Sequence, residues 1–174
     1  MRILRLLFSP HGRLPPQSFV AIAIAVYVAG AGSQLLTMPD VLVHAGFWPF
    51  ALVQALLIWI WFAVHAKRLH DAGRGIGLAA GVAILYALSV LLLVIVAAAF
   101  YGPLAGQVSD ANTAAALGLI LFLSVIAVLL GSPHYDLSWL MVAFLVLLAL
   151  VPIALAIFVT IWAAAQPSAE GRAA

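Results

Sequence analysis

The residues of this chain that could do chemistry lie in one stretch. His65-Ala66-Lys67-Arg68-Leu69-His70-Asp71-Ala72-Gly73-Arg74-Gly75-Ile76-Gly77 gathers three cations, two histidines and one carboxylate, and three glycines close it. If residues 67–74 continue a helix, Asp71 stands four residues after Lys67 and three from both Arg68 and Arg74. One carboxylate is then flanked by cations on one face, each exposed pair contributing about 0.2–0.5 kcal/mol. His70 and Arg74 are four apart and can reach one phosphate together. This pattern suits a cytoplasmic tie between two helices that also grips anionic headgroups.

Other chemistries fit the stretch less well. His65, His70 and Asp71 do not have metal-ligand spacing, and an ideal helix places His65 about 140° round from His70. No metal is expected. Gly73-Arg74-Gly75-Ile76-Gly77 lacks the lysine-serine/threonine end of a phosphate-binding loop and does not follow a strand, so no nucleotide cofactor is expected. Ser89, Ser124 and Ser132 lie elsewhere in the sequence, which leaves no serine for a Ser/His/Asp relay. One catalytic alternative survives: His70 and Asp71 as acid and base on a lipid-linked substrate.

The elements that position this stretch are apolar. Of 174 residues, 67% are hydrophobic and 7% charged, with a mean hydropathy of +1.26. Soluble domains have about 45–50% apolar and about 25% charged residues, so the expected class is an all-α, polytopic transmembrane bundle. Five segments are long enough to span: 18–38, 46–66, 78–100, 113–130 and 137–165. The fourth is near the lower length limit, and four spans are the alternative. Residues 1–17 read as a cytoplasmic amphipathic arm, without a cleaved signal. Pro15 and Pro16 break it from the first span. Residues 166–174 read as a polar, disordered tail.

Within the spans, Ala21, Ala25, Ala29, Gly30 and Gly32 form a small-residue stripe for close helix approach. Trp48, Trp59, Trp61, Trp139 and Trp162 are expected at the two interfaces. Gln34 and Gln54 are expected to bond between helices, and Pro152 to kink the last span. No Asp, Glu, Lys or Arg lies deep in any span, which argues against a self-contained ion or proton pump. Of seven basic residues, six (Arg2, Arg5, Arg13, Lys67, Arg68, Arg74) fall in the arm or the cluster. The positive-inside rule makes both cytoplasmic. Five crossings put the tail outside, four put it on the cluster's side. The absence of cysteine excludes disulfides and thiolate chemistry.

Arg68-Leu69-His70-Asp71-Ala72-Gly73-Arg74, just after a span, resembles the R-R-L-H-D-x-G-R-S-G-W signature of small bacterial inner-membrane proteins grouped as domain of unknown function 805. Phe8-Ser9-Pro10-His11-Gly12-Arg13-Leu14, followed by Phe19, is similar to that family's N-terminal F-x-G-R-x-x-R-x-x-F-W element. Lys67 replaces the first arginine of the pair, Gly75-Ile76-Gly77 replaces S-G-W, Pro16 stands at the second N-terminal arginine and Val20 at the tryptophan. The resemblance covers residues 1 to about 100. It implies a bacterial inner membrane and a four-span architecture, and that Gly12 and Arg13 meet the cluster, Arg13 reaching Asp71 or sharing a phosphate with His70 and Arg74. It implies no activity, because the family's role is not established.

The expected function is therefore a non-enzymatic inner-membrane protein. Its cytoplasmic group, Gly12, Arg13, Lys67, Arg68, His70, Asp71 and Arg74, is either structural or binds anionic lipid or a membrane-protein partner, a second copy included. No nucleic-acid partner is expected. A subunit of a transport complex is the alternative.

Overall fold

Prolines start the helices of the N-terminal half. A computed structural model describes residues 8–101 and 137–168. Helix α1 (Pro16–Gly32) has Pro16 in its first turn, where the missing N–H costs no helical bond. It tightens into a 3₁₀ segment, Ser33–Thr37, whose first hydroxyl donates to the Gly30 carbonyl at 2.6 Å. Helix α2 (Pro39–Ala45) is short and ends at Gly46, whose φ of 60° reverses the chain. Helices α3 (Trp48–Asp71), α4 (Gly77–Tyr101) and α5 (Leu137–Ala165) follow.

The described residues are helical, without strands, and four segments are long and apolar enough to cross a membrane: Pro16–Thr37, Trp48–Asp71, Gly77–Val96 and Ala143–Ala165. They correspond to the expected spans 18–38, 46–66, 78–100 and 137–165. The expected span 113–130 lies outside the described residues. Helix α3 runs five residues past its expected end, through the cluster. Cations in its last turn favour this, because they oppose the partial negative charge of the helix terminus. Helix α5 runs through Pro152 without a break.

Helix α3 is central. It packs against α1, α4 and α5, while α4 packs on α5 and α1 also touches α5. Successive spans run antiparallel, so the start of α1, the end of α3, the start of α4 and the end of α5 share one end of the bundle. The core there is Leu14, Phe19, Val64, Leu69, Ala79, Val159 and Ala163.

The distribution of polarity is inverted relative to a water-soluble bundle. Outward faces carry exposed Val28, Leu52, Leu88, Leu147, Phe158 and Ile161, whereas Gln54, His65, Lys67, Arg68 and Ser89 are buried. Water would penalise that exterior heavily, but hydrocarbon does not. The architecture is that of a multi-pass membrane protein.

Candidate functional site

Helix α3 ends in a Schellman motif. Arg74 N–H donates to the Leu69 carbonyl at 2.8 Å and Gly73 N–H to the His70 carbonyl at 3.0 Å, with Gly73 at φ +67°. That conformation disfavours any side chain with a Cβ. Of the three glycines closing the stretch, Gly73 alone takes the left-handed conformation, since the described residues with that geometry are Gly12, Gly46 and Gly73. Gly77 instead begins α4.

This cap divides the charges. Arg68, on the inward side of the last turn, has no solvent exposure. Its Nε donates to the Ala163 carbonyl at 3.1 Å, and its Nη2 donates to the Gln166 carbonyl. Its Nη1 meets Asp71 Oδ2 at 2.6 Å and Ser168 Oγ at 3.4 Å. Ser168 in turn donates to Asp71 Oδ2 at 2.8 Å. The guanidinium therefore caps the C-terminal carbonyls of α5, where a cation is favoured, and Asp71 neutralises it. Arg74 lies outside this clamp, exposed, over the Trp162 ring at 5.9 Å and 3.5 Å from Gln166 Oε1.

The remaining predicted site residues fall around this clamp. His70 is exposed and Asp71 half-buried, while Lys67 is buried. Arg13 is exposed and follows Gly12, whose φ is 121°. Leu14 and Phe19 anchor that segment to the core at the cluster end of the bundle. Residues 166–168, the described part of the tail, lie at the cluster end of the bundle. Gln166 and Ser168 are seated on Arg68 and Asp71.

A second network lies one turn deeper, and the cluster reading did not foresee it. His65 is sandwiched, with the Trp61 ring stacked at 3.8 Å and the Phe19 ring edge-on at 4.9 Å. Its Nδ1 lies 2.7 Å from the Trp61 carbonyl, which can only accept, so Nδ1 carries the proton. Its Nε2 is 2.8 Å from Thr160 Oγ1. Thr160 Oγ1 is also 2.7 Å from the Tyr27 hydroxyl, and Trp61 Nε1 donates to that hydroxyl at 3.2 Å. With a neutral imidazole, every polar group here is matched in one direction: Trp61 to Tyr27, Tyr27 to Thr160, Thr160 to His65, and His65 to the Trp61 backbone. The Thr160 proton has a second acceptor, the Ala156 carbonyl, also at 2.8 Å. Three helices, α1, α3 and α5, are joined in this way.

The network corrects one expectation. Trp61 is a core residue and not an interface residue, whereas Trp48 and Trp59 are exposed. Two residues turn a helix by about 200°, so Trp59 and Trp61 face opposite sides. Trp59 donates to the Phe8 carbonyl at 3.0 Å instead. The signal in the sequence was the i, i+4 pair Trp61 and His65, which puts both rings on one face. Gln54 does bond between elements, donating to Ser33 Oγ at 2.9 Å. Gln34 is exposed.

Thr160→Val keeps the side-chain shape and removes the hydroxyl. It is expected to destabilise the bundle by about 0.6–1.7 kcal/mol, the range for hydrogen bonds between membrane helices. Reversible unfolding in mixed micelles reads this, and an unchanged midpoint would mean that the ring of bonds does not hold the helices together.

No group of three or more His, Asp or Glu able to hold a metal occurs among the described residues. In comparison with known proteins, no family model, no curated protein and no solved structure matches this chain.

Proposed function

We propose that the chain is a non-enzymatic multi-pass protein of a bacterial inner membrane whose cluster end docks anionic lipid headgroups. In this reading the N-terminal arm, the turn after α3 and the tail are cytoplasmic. The excess of arginine and lysine at that end supports the orientation. The resemblance of residues 8–19 and 68–74 to domain of unknown function 805 supports the compartment.

The observation that carries the reading is the sorting of the charges. Arg68 is turned inward and neutralised by Asp71, so it is spent on the fold. Arg13, His70 and Arg74 face out at the same end. Arg74 is held there by the Trp162 ring and by the cap of α3. A rigid end with outward arginines and an outward imidazole at the depth of the headgroups suits phosphate.

The test compares wild type with Arg74→Ala and with His70→Ala/Arg74→Ala in nanodiscs. The nanodiscs contain phosphatidylglycerol and phosphatidylcholine, and bound lipid is counted by native mass spectrometry. Each basic residue near a membrane surface is worth about 1 kcal/mol, or about fivefold in lipid retention. Arg74→Ala should lose about that much phosphatidylglycerol while its melting temperature holds. Equal retention in all three proteins would sink the reading.

A further inference from the structure

Two cavities lie between the helices, of about 280 and about 300 Å³. They share Gln34, Gln54, Tyr86 and Ile153 among their lining residues, so they meet at one place. The first reaches Tyr27 and Trp61, at the inner edge of the His65 ring. The second extends toward Phe47, Phe50 and Pro152. No lining residue of either is charged.

Polar groups line the joined cavities. Gln54 is 3% exposed, and among the described residues its only side-chain hydrogen bond is the one its Nε2 donates to Ser33. Its carbonyl oxygen and second N–H are left over. The Tyr86 hydroxyl makes no hydrogen bond among the described residues, although the residue is half-buried. Pro152 has no N–H, so α5 leaves the Leu148 carbonyl without its helical donor, and both residues line the second cavity. Native interiors rarely leave such groups unmet. Two donors, the second Gln54 N–H and the Tyr86 hydroxyl, and two acceptors, the Gln54 and Leu148 carbonyls, thus border an apolar space with aromatic walls, the composition of a ligand pocket.

Depth narrows the choice of ligand. Gln54 is six residues past Trp48, the exposed tryptophan at the far end of α3, so it lies about 9 Å along the helix from the interface that an exposed tryptophan marks. A phospholipid's ester carbonyls sit near the interface and its acyl chains offer no hydrogen bond. A charged ligand would meet no counter-charge. We infer that the joined cavities bind the ring of a lipid-tailed quinone or quinol, with Tyr86 and Gln54 bonding the ring oxygens and aromatic side chains packing its faces. This site is separate from the headgroup dock at the cluster end and stands independently of it.

The probe is a decyl-substituted dimethoxybenzoquinone, titrated into the full chain in phosphatidylcholine nanodiscs and followed by tryptophan quenching. Gly30 lines the first cavity, and a side chain added there starts in open space, so Gly30→Leu should fill the pocket without breaking the bundle. Wild type should quench saturably. Gly30→Leu should lose the saturable component, and Tyr86→Phe should weaken it about fivefold, the worth of one neutral hydrogen bond. Should Gly30→Leu fail to fold, Tyr86→Phe carries the test alone. Linear quenching in wild type, or saturable quenching equal in wild type and both variants, overturns the proposal. Brominated acyl chains that quench at a Gly30→Leu-sensitive site and are not displaced by the quinone also overturn it, making lipid the occupant.

Discussion

Arg68→Ala is expected to destabilise the protein by about 3–5 kcal/mol, the usual cost of removing one partner of a buried ion pair. The loss has three parts. Asp71 loses the guanidinium 2.6 Å away and keeps Ser168. The Ala163 and Gln166 carbonyls at the end of α5 lose their donors. The side chain also leaves a void, since it is among the largest wholly buried residues. Arg68→Lys should fall between, because an ammonium can meet Asp71 but cannot fork to two carbonyls as well. Arg74→Ala is the contrast. Its cation–π contact and long hydrogen bond are exposed, and such contacts contribute at most about 1 kcal/mol. Unfolding midpoints in mixed micelles order the three, and amide hydrogen exchange at Gln166 and Ser168 reports their release. If Arg68→Ala melts with Arg74→Ala, Arg68 does not clamp α5.

Phe19→Ala is expected to cost about 1–3 kcal/mol, with the loss concentrated at the cluster end. In a soluble core, deleting a buried phenylalanine costs about 3–5 kcal/mol, part of it transfer from water. Between helices in hydrocarbon the transfer part is absent, since lipid is as apolar as the core, and van der Waals contact remains. Phe19 has no exposed surface and meets His65 edge-on, so its removal unseats one side of the imidazole. Phe19→Leu should recover most of the loss in stability but not the edge contact. A double-mutant cycle with Thr160→Val gives the coupling. Strict additivity would mean that Phe19 packs on α3 without fixing the His65 ring.

Helical class and most helix boundaries were legible along the chain. Pro16, Pro39 and Gly46 act on the backbone of their own turn, and the apolar runs are read by length, without reference to a partner. The concentration of cations at residues 65–77 was equally plain. The division of labour within it was not. Arg68 and Arg74 are the same residue type six positions apart, yet one is buried under α5 and the other faces out. The cap at Gly73 ends the helix between them, but what buries Arg68 is supplied by Ala163, Gln166 and Ser168, about a hundred residues away. The role of His65, weighed in the sequence only as a metal ligand, was hidden for the same reason. Its partners Tyr27 and Thr160 lie on helices whose packing against α3 no periodicity in α3 encodes.

By itself, then, the sequence determined a helical chain with membrane-crossing segments and one basic end, because hydropathy, proline and glycine act locally and hydrocarbon requires every backbone bond to close within its own helix. Tertiary structure alone decided which cation became a clamp, where Gln166 and Ser168 sit and which polar groups line the cavities. In an apolar solvent helix order and rotation are set by side-chain fit and a few hydrogen bonds between distant residues, and those exist only once the helices are side by side.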